Sequence, residues 1–144
     1  MSGKILSREE IKKRVPHQGH MCLLEHALEW DETHIVCSAV SHRDPANPLR
    51  ENGVLPAVCG IEYAAQAMAL HGSLLGLGAG TGVLAGVREL VLSVERLDDC
   101  SGQLIIQAEK LLVQEQLALY RFSLRADARE LLRGRAAVAF ASER

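Results

Sequence analysis

Glu62 is the residue in this sequence best placed to do chemistry. It lies about two turns inside an apolar stretch that reads as a helix over 57–71, and no lysine or arginine occurs between Glu51 and Arg88. An unpaired buried carboxylate is costly, or its pKa rises until it holds a proton, so a fold that keeps one there has a reason. Acid/base catalysis is one such reason and is preferred here, because perturbed carboxylates cluster at active sites. The alternative is an acid satisfied by a distant arginine, a backbone amide or a water at a subunit seam. Gln66 is one turn further on and shares the face of Glu62. It could orient the carboxylate or bind a substrate carbonyl, or it could be a simple hydrogen-bond partner.

Six histidines could complete such a site: His17, His20, His26, His34, His42 and His71. His17 and His20 form a Pro-His-x-x-His turn whose spacing could suit a metal, but no second ligand cluster accompanies it, so no metal and no cofactor are expected. His42 opens a long loop from which a base could reach the helix, or it could be a solvent-facing loop histidine. His71 reads as a helix-end residue, favourable to the dipole when protonated. The other motifs are weak. Gly76, Gly78, Gly80 and Gly82 follow a helix and precede no Gly-Lys-Ser/Thr, so they read as linker rather than a phosphate loop. Lys12-Lys13-Arg14 reads as the solvated side of a short helix, with docking of an acidic carrier or a phosphate as the alternative.

Positioning these groups requires a scaffold, and its elements are legible. Ser7 and Glu10 make a capping-box pattern opening a helix from Arg8 to about Val15, within an N-terminal helical segment over 1–16 that ends at Pro16. Strands are expected over Met21–Leu28 and His34–Val40. The connection from Ser41 to Pro56 is long and rich in proline, glycine and asparagine, as functional loops in small domains are. Pro56 suits a first helical position, and the central helix spans 56–72. After the glycine-rich connection the chain alternates as half-buried antiparallel strands do. Val83–Val94 comes first; Leu104, Ile106 and Ala108 share one side, as do Tyr120, Phe122, Leu124 and Ala126, and then Leu132, Gly134, Ala136, Val138 and Phe140. The expected architecture is α+β: one long buried helix wrapped by a five- or six-stranded antiparallel sheet, one domain over 1–144. Such a sheet leaves edges that a second copy could cover, so a homodimer or larger assembly is expected.

The 144 residues include 48% hydrophobic, 24% charged and 3% aromatic residues, with sixteen Lys+Arg against eighteen Asp+Glu. A net charge of −2 removes the bulk electrostatic case for a nucleic-acid or polybasic membrane binder. The charged Arg8-Glu9-Glu10 precedes any long apolar run, so neither a secretory signal nor a membrane span is expected. Cys22, Cys37, Cys59 and Cys100 are scattered without a C-x-x-C pair, which favours free thiols and a cytoplasmic location.

Four segments resemble the hotdog-fold 3-hydroxyacyl-(acyl carrier protein) dehydratases. Val15-Pro16-His17-Gln18-Gly19-His20-Met21-Cys22-Leu23-Leu24-Glu25 is similar to that family's Leu-Pro-His-x-x-Pro-x-Leu-Leu-x-Asp. Pro56-Ala57-Val58-Cys59-Gly60-Ile61-Glu62-Tyr63-Ala64-Ala65-Gln66 resembles its helix signature Pro-Gly-Val-x-x-x-Glu-Ala-Met-Ala-Gln, the most specific of the four. Leu84-Ala85-Gly86-Val87 and Gly102-Gln103-Leu104 resemble its Leu-Ala-Gly-Ile and Gly-Asp-x-Leu segments. The whole more nearly resembles a divergent subgroup of dehydratase-like proteins found with aryl-polyene and related fatty-acid-type pathways. One element departs. The family pairs its helix glutamate with a histidine of Gly-His-Phe fourteen residues earlier, and here that position is Pro48, while His42 stands six residues further upstream.

The resemblance implies a hotdog fold and loss of water from a 3-hydroxyacyl thioester of acyl carrier protein or CoA, giving a trans-2-enoyl thioester. Such a site needs a base at C2, an acid at the C3 oxygen and donors to the thioester carbonyl. Glu62 and one histidine would share the first two tasks, His17 ranking slightly above His42. Free backbone N–H groups at Val58, Cys59 and Gly60 would serve the third, with Gly60 leaving room for the thioester. A phosphopantetheine arm would pass basic residues such as Arg14, Arg50 or Arg88. A non-catalytic hotdog subunit partnering a true dehydratase, and an acyl thioesterase in which Glu62 and Gln66 position water, are the competing readings.

Overall fold

The computed structural model describes residues 5–15, 21–77 and 82–140. Helix α1 (Arg8–Arg14) opens on the expected capping box: the Glu10 N–H donates to Ser7 Oγ at 3.3 Å and the Ser7 N–H to Glu10 Oε1 at 2.9 Å. Its apolar Ile11 is fully buried. Strand β1 (His26–Trp30) begins later than the expected Met21–Leu28. The reason is a tertiary contact: the Leu23 N–H and the Met21 carbonyl bond to the side chain of Gln66 instead of a neighbouring strand. The run Cys22–Leu24 is buried without being a strand. Strand β2 (His34–Ala39) agrees with expectation to one residue.

The connection over 41–56 is folded onto itself. A 3-10 turn spans Ser41–Arg43, and the buried Asn47 takes the Leu49 N–H on Oδ1 at 2.8 Å while donating to the Ser41 carbonyl at 2.8 Å. A second 3-10 turn, Ala57–Cys59, leads into the central helix α2 (Gly60–Leu75). The helix thus starts later than expected and runs a turn further, to Gly76, whose left-handed φ of 77° lets its N–H reach the Gly72 and Ser73 carbonyls. Gly72 lies inside the helix because the ring of Phe140 presses on it; a Cβ there would stand 2.1 Å from Phe140 Cε1.

Four strands complete the sheet: β3 (Gly82–Leu92), β4 (Leu104–Gln114), β5 (Leu117–Ala126) and β6 (Arg129–Phe140). All pairs are antiparallel, in the order β1-β2-β4-β5-β6-β3. The inward sets are those the alternation picks out, with Leu104, Ile106, Tyr120, Phe122, Leu124, Leu132, Val138 and Phe140 buried against α2. The β1 edge is covered by Leu6, which exchanges two backbone bonds with Ala27 at 3.0 and 3.1 Å. On the β3 side no further strand follows among the described residues, and Val83, Val91 and Leu92 are exposed. Among the described residues no helix is long and apolar enough to cross a membrane, and all four cysteines are free.

Candidate active site

Glu62 is exposed in this chain, which corrects the buried position expected for it. The 3-10 turn moves the start of α2 to Gly60, so the carboxylate stands in the first helical turn, where the dipole favours negative charge. Val58 is also exposed, and Ile61 and Ala65 are half-buried, so this flank of the helix faces away from the sheet and is open in a single chain. Among the described residues no hydrogen bond or ion pair reaches Glu62.

The donors expected at the helix start are partly committed. The Cys59 N–H bonds the Pro56 carbonyl at 3.0 Å and the Gly60 N–H reaches the Ala57 and Val58 carbonyls, because a 3-10 turn uses groups that an α-helix would leave open. Gly60 turns its bare face to the sheet: a Cβ would sit 2.7 Å from Leu132 Cδ2 and 3.2 Å from Leu124 Cδ2. Its small size serves helix-to-sheet packing. Cys59 is half-buried, and burial, followed by the nearby Glu51 and Glu62 carboxylates, pushes its thiol pKa up.

Whereas Glu62, one turn earlier on the same helix, is exposed, Gln66 is only 4% exposed. Its Oε1 accepts from the Leu23 N–H at 2.9 Å and its Nε2 donates to the Met21 carbonyl at 2.9 Å. The side chain therefore clasps to α2 the segment that directly follows the Pro-His-x-x-His turn. His17 and His20 themselves lie outside the described residues.

His42 is fully buried in its 3-10 turn. Its Nε2 donates to the Cys100 carbonyl at 3.1 Å, tying the loop to the segment before β4. Burial, helped by the positive charges of Arg43 and Arg50, lowers its pKa, so the ring is neutral at pH 7. No hydrogen bond or ion pair joins it to Glu62. Arg50 is also committed to this loop, donating to the Gly53 carbonyl at 2.9 Å and to the His42 carbonyl at 3.1 Å. Arg14 closes α1, and Arg88 lies on β3, in register with Arg135.

Two polar clusters escape the sequence. Tyr63 is buried one residue beyond Glu62, its hydroxyl 2.9 Å from Ser41 Oγ and 3.2 Å from Asn47 Nδ2. Ser41 Oγ donates to the Leu23 carbonyl at 2.8 Å, so the Tyr63 hydroxyl donates to Ser41 and accepts from Asn47. This network braces the loop and the Leu23 segment against the first turns of α2. His71 is not a solvent-facing helix end. It is fully buried, Nε2 donating to the Asp31 carbonyl at 2.7 Å and Nδ1 accepting from the Tyr120 hydroxyl at 2.7 Å. Burial lowers its pKa and raises that of Tyr120, so neither carries charge at pH 7. Among the described residues no group of three His, Cys, Asp or Glu side chains is placed to hold a metal.

A single long helix held in the curl of a six-stranded antiparallel sheet is the hotdog fold. Solved structures of that fold superpose on most of the chain. The dehydratase heterocomplex ApeI:P from Xenorhabdus doucetiae aligns over 92% of this chain and 91% of its own at 24% identity, with a TM-score of 0.78. A mutant thioesterase from Pseudomonas aeruginosa aligns over 96% of each chain at 14% identity (TM-score 0.67). A hypothetical thioesterase with coenzyme A from Streptococcus pneumoniae aligns over 96% of this chain and 99% of its own, at 14% identity (TM-score 0.65). At such identities these neighbours define the fold. The family is defined by sequence: residues 9–143 match the ApeP-like family, described as ApeP dehydratase, and the chain belongs to it. No curated protein matches the sequence.

Proposed function

We propose that the chain is a cytoplasmic dehydratase that removes water from a 3-hydroxyacyl thioester, carried on acyl carrier protein or CoA, to give a trans-2-enoyl thioester in a fatty-acid- or polyene-type pathway. The observation that carries this reading is Glu62: an uncommitted carboxylate on the first turn of the central helix, in a chain of a dehydratase family. In the reaction a base takes the C2 proton, the C2–C3 double bond forms, and the C3 hydroxyl leaves as water after accepting a proton. Glu62 and a histidine divide these two transfers. His17 is the better partner, because His42 is buried and bonded to Cys100. His17 lies four residues before Met21, whose carbonyl is clasped by Gln66; four residues span at most about 15 Å. Of the Val58, Cys59 and Gly60 N–H groups, those of Cys59 and Gly60 are bonded within the 3-10 turn, which leaves the Val58 N–H to serve the thioester carbonyl.

The open flank at Val58 and Glu62, and the open β3 edge, support completion of the site by a second hotdog chain. That chain is a copy of this one or a dehydratase partner; the Xenorhabdus doucetiae neighbour, itself a heterocomplex, is a precedent for the latter. A second reading, a non-catalytic subunit of such a complex, is favoured by one observation: no described histidine contacts Glu62.

The test is to incubate the purified chain, alone and with a second hotdog dehydratase chain, with 3-hydroxyacyl thioesters of carrier protein and of CoA. Formation of enoyl thioester by the chain alone supports the first reading. Activity only in the mixed complex, unchanged by Glu62→Gln, selects the second, and release of free thiol selects a thioesterase.

A further inference from the structure

The outer face of the sheet, away from α2, holds a pit of about 430 Å³ that the proposed reaction does not use. Its floor follows from the register. Leu119 pairs with Ala137 and Ala137 with Gly86, so a large side chain stands beside two small ones across three strands. Their sequence neighbours Tyr120 and Ala136 are buried, so Leu119 and Ala137 point outward. A bulge in β3 between Leu84 and Gly86 and another in β4 between Lys110 and Leu112 curl the strands around this floor, and Leu111 and Leu117 form the walls. Leu111, Leu117 and Leu119 are 39%, 39% and 37% exposed, an apolar cluster of a kind that solvent does not favour.

The rim carries charge of one sign. The next register row sets Arg121 beside Arg135 and Arg135 beside Arg88, and of these Arg88 and Arg135 line the pit. Arg135 has a partner, Glu89, at 3.3 Å, and Arg121 has Glu109 at 2.8 Å. Arg88 makes no hydrogen bond or ion pair among the described residues. An apolar pit with an uncommitted guanidinium at its mouth matches a ligand with an apolar body and an anionic end, and its volume falls in the range of small-molecule sites, roughly 300–1,000 Å³.

We propose that this pit binds an amphipathic carboxylate, the apolar chain lying over Ala137 and Leu119 and the carboxylate on Arg88 and Arg135. The proposal is independent of the reaction assigned above. Its test uses decanoate and the uncharged decanol as probes, titrated calorimetrically into the full chain. Ala137→Leu fills the floor and Arg88→Gln removes the uncommitted charge; both positions face outward, so unchanged thermal melting verifies the fold. Decanoate is expected to bind, more weakly by about tenfold or more in Ala137→Leu and by about fivefold in Arg88→Gln, the upper end for an exposed ion pair. Decanol is expected to bind less tightly than decanoate and to be indifferent to Arg88→Gln. No decanoate binding, binding unchanged in both variants, or decanol binding as tightly as decanoate overturns the proposal. So does a change of molecular mass in solution on Ala137→Leu, which would mean that a second copy covers this face.

Discussion

Replacing Gln66 with methionine probes the clasp that links the N-terminal segment to the central helix. The side chain is 4% exposed and, among the described residues, bonds to the Leu23 N–H and to the Met21 carbonyl, each at 2.9 Å. Methionine has nearly the same volume and can make neither. Each bond is worth about 1 kcal/mol net, and a buried donor left without a partner costs about 1–3 kcal/mol. Leu23 is 2% exposed, so its N–H has little access to water. The expected loss is about 2–4 kcal/mol, or about 5–15 °C in melting temperature for a chain of this length. Urea denaturation gives the first figure as a fall in midpoint at constant slope. Gln66→Glu separates the two bonds. The carboxylate still accepts from Leu23 but opposes the Met21 carbonyl at neutral pH, and regains a donor only when protonated. Its stability deficit is therefore expected to shrink as pH falls. A loss below about 0.5 kcal/mol in Gln66→Met, or a deficit in Gln66→Glu that grows on acidification, would refute the clasp.

Further tests address the scaffold and its titration. Gly72→Ala places a methyl 2.1 Å from the Phe140 ring and is expected to cost about 1–3 kcal/mol by overpacking, a loss partly recovered in the double variant with Phe140→Leu. Tyr63→Phe removes the hydroxyl between Ser41 and Asn47 and is expected to lower stability by about 1 kcal/mol, read by urea denaturation. His42 and His71 have pKa values lowered by burial from 6.5, so the unfolded chain binds more protons than the folded one below that value. Their contribution is complete above about pH 6.5 and is lost as pH falls through the folded values. The half-buried His34, whose pKa is raised first by Glu29 and then by Asp31, acts in the opposite sense, stabilising at low pH and losing that effect as pH rises. In a His34→Gln background, stability is therefore expected to fall on acidification below about pH 6.5, and a ring titration of His71 at an ordinary value by NMR would contradict this.

Most of the scaffold is legible in the sequence because alternation and capping are local signals. The inward parity of β4, β5 and β6 follows from single-residue spacing, and Ser7 with Glu10 shows its box in four residues. The misplacements have non-local causes. Met21–Leu24 looks like a strand, but its backbone is held by Gln66, more than forty residues away. Gly72 looks like the end of a helix, but it is the imprint of Phe140. At the candidate site, the sequence identifies the helix and its carboxylate but not its exposure, because burial of Glu62 depends on where the helix begins and on what covers its open flank. The bonding of His42 to Cys100, of His71 to Asp31 and Tyr120, and of Tyr63 to Ser41 and Asn47 depends on tertiary neighbours that spacing does not show.

The central claim, that Glu62 serves a dehydration completed by a histidine of the N-terminal segment, is tested most directly by enoyl thioester formation from 3-hydroxyacyl carrier protein. The assay compares the wild type with Glu62→Gln, His17→Ala and His42→Ala, each verified as folded. Glu62→Gln and His17→Ala are expected to lower turnover by about 100-fold or more, the scale of a lost acid or base. His42→Ala, once corrected for its folded fraction, is expected to retain most of the rate. Wild-type turnover in Glu62→Gln would contradict the account.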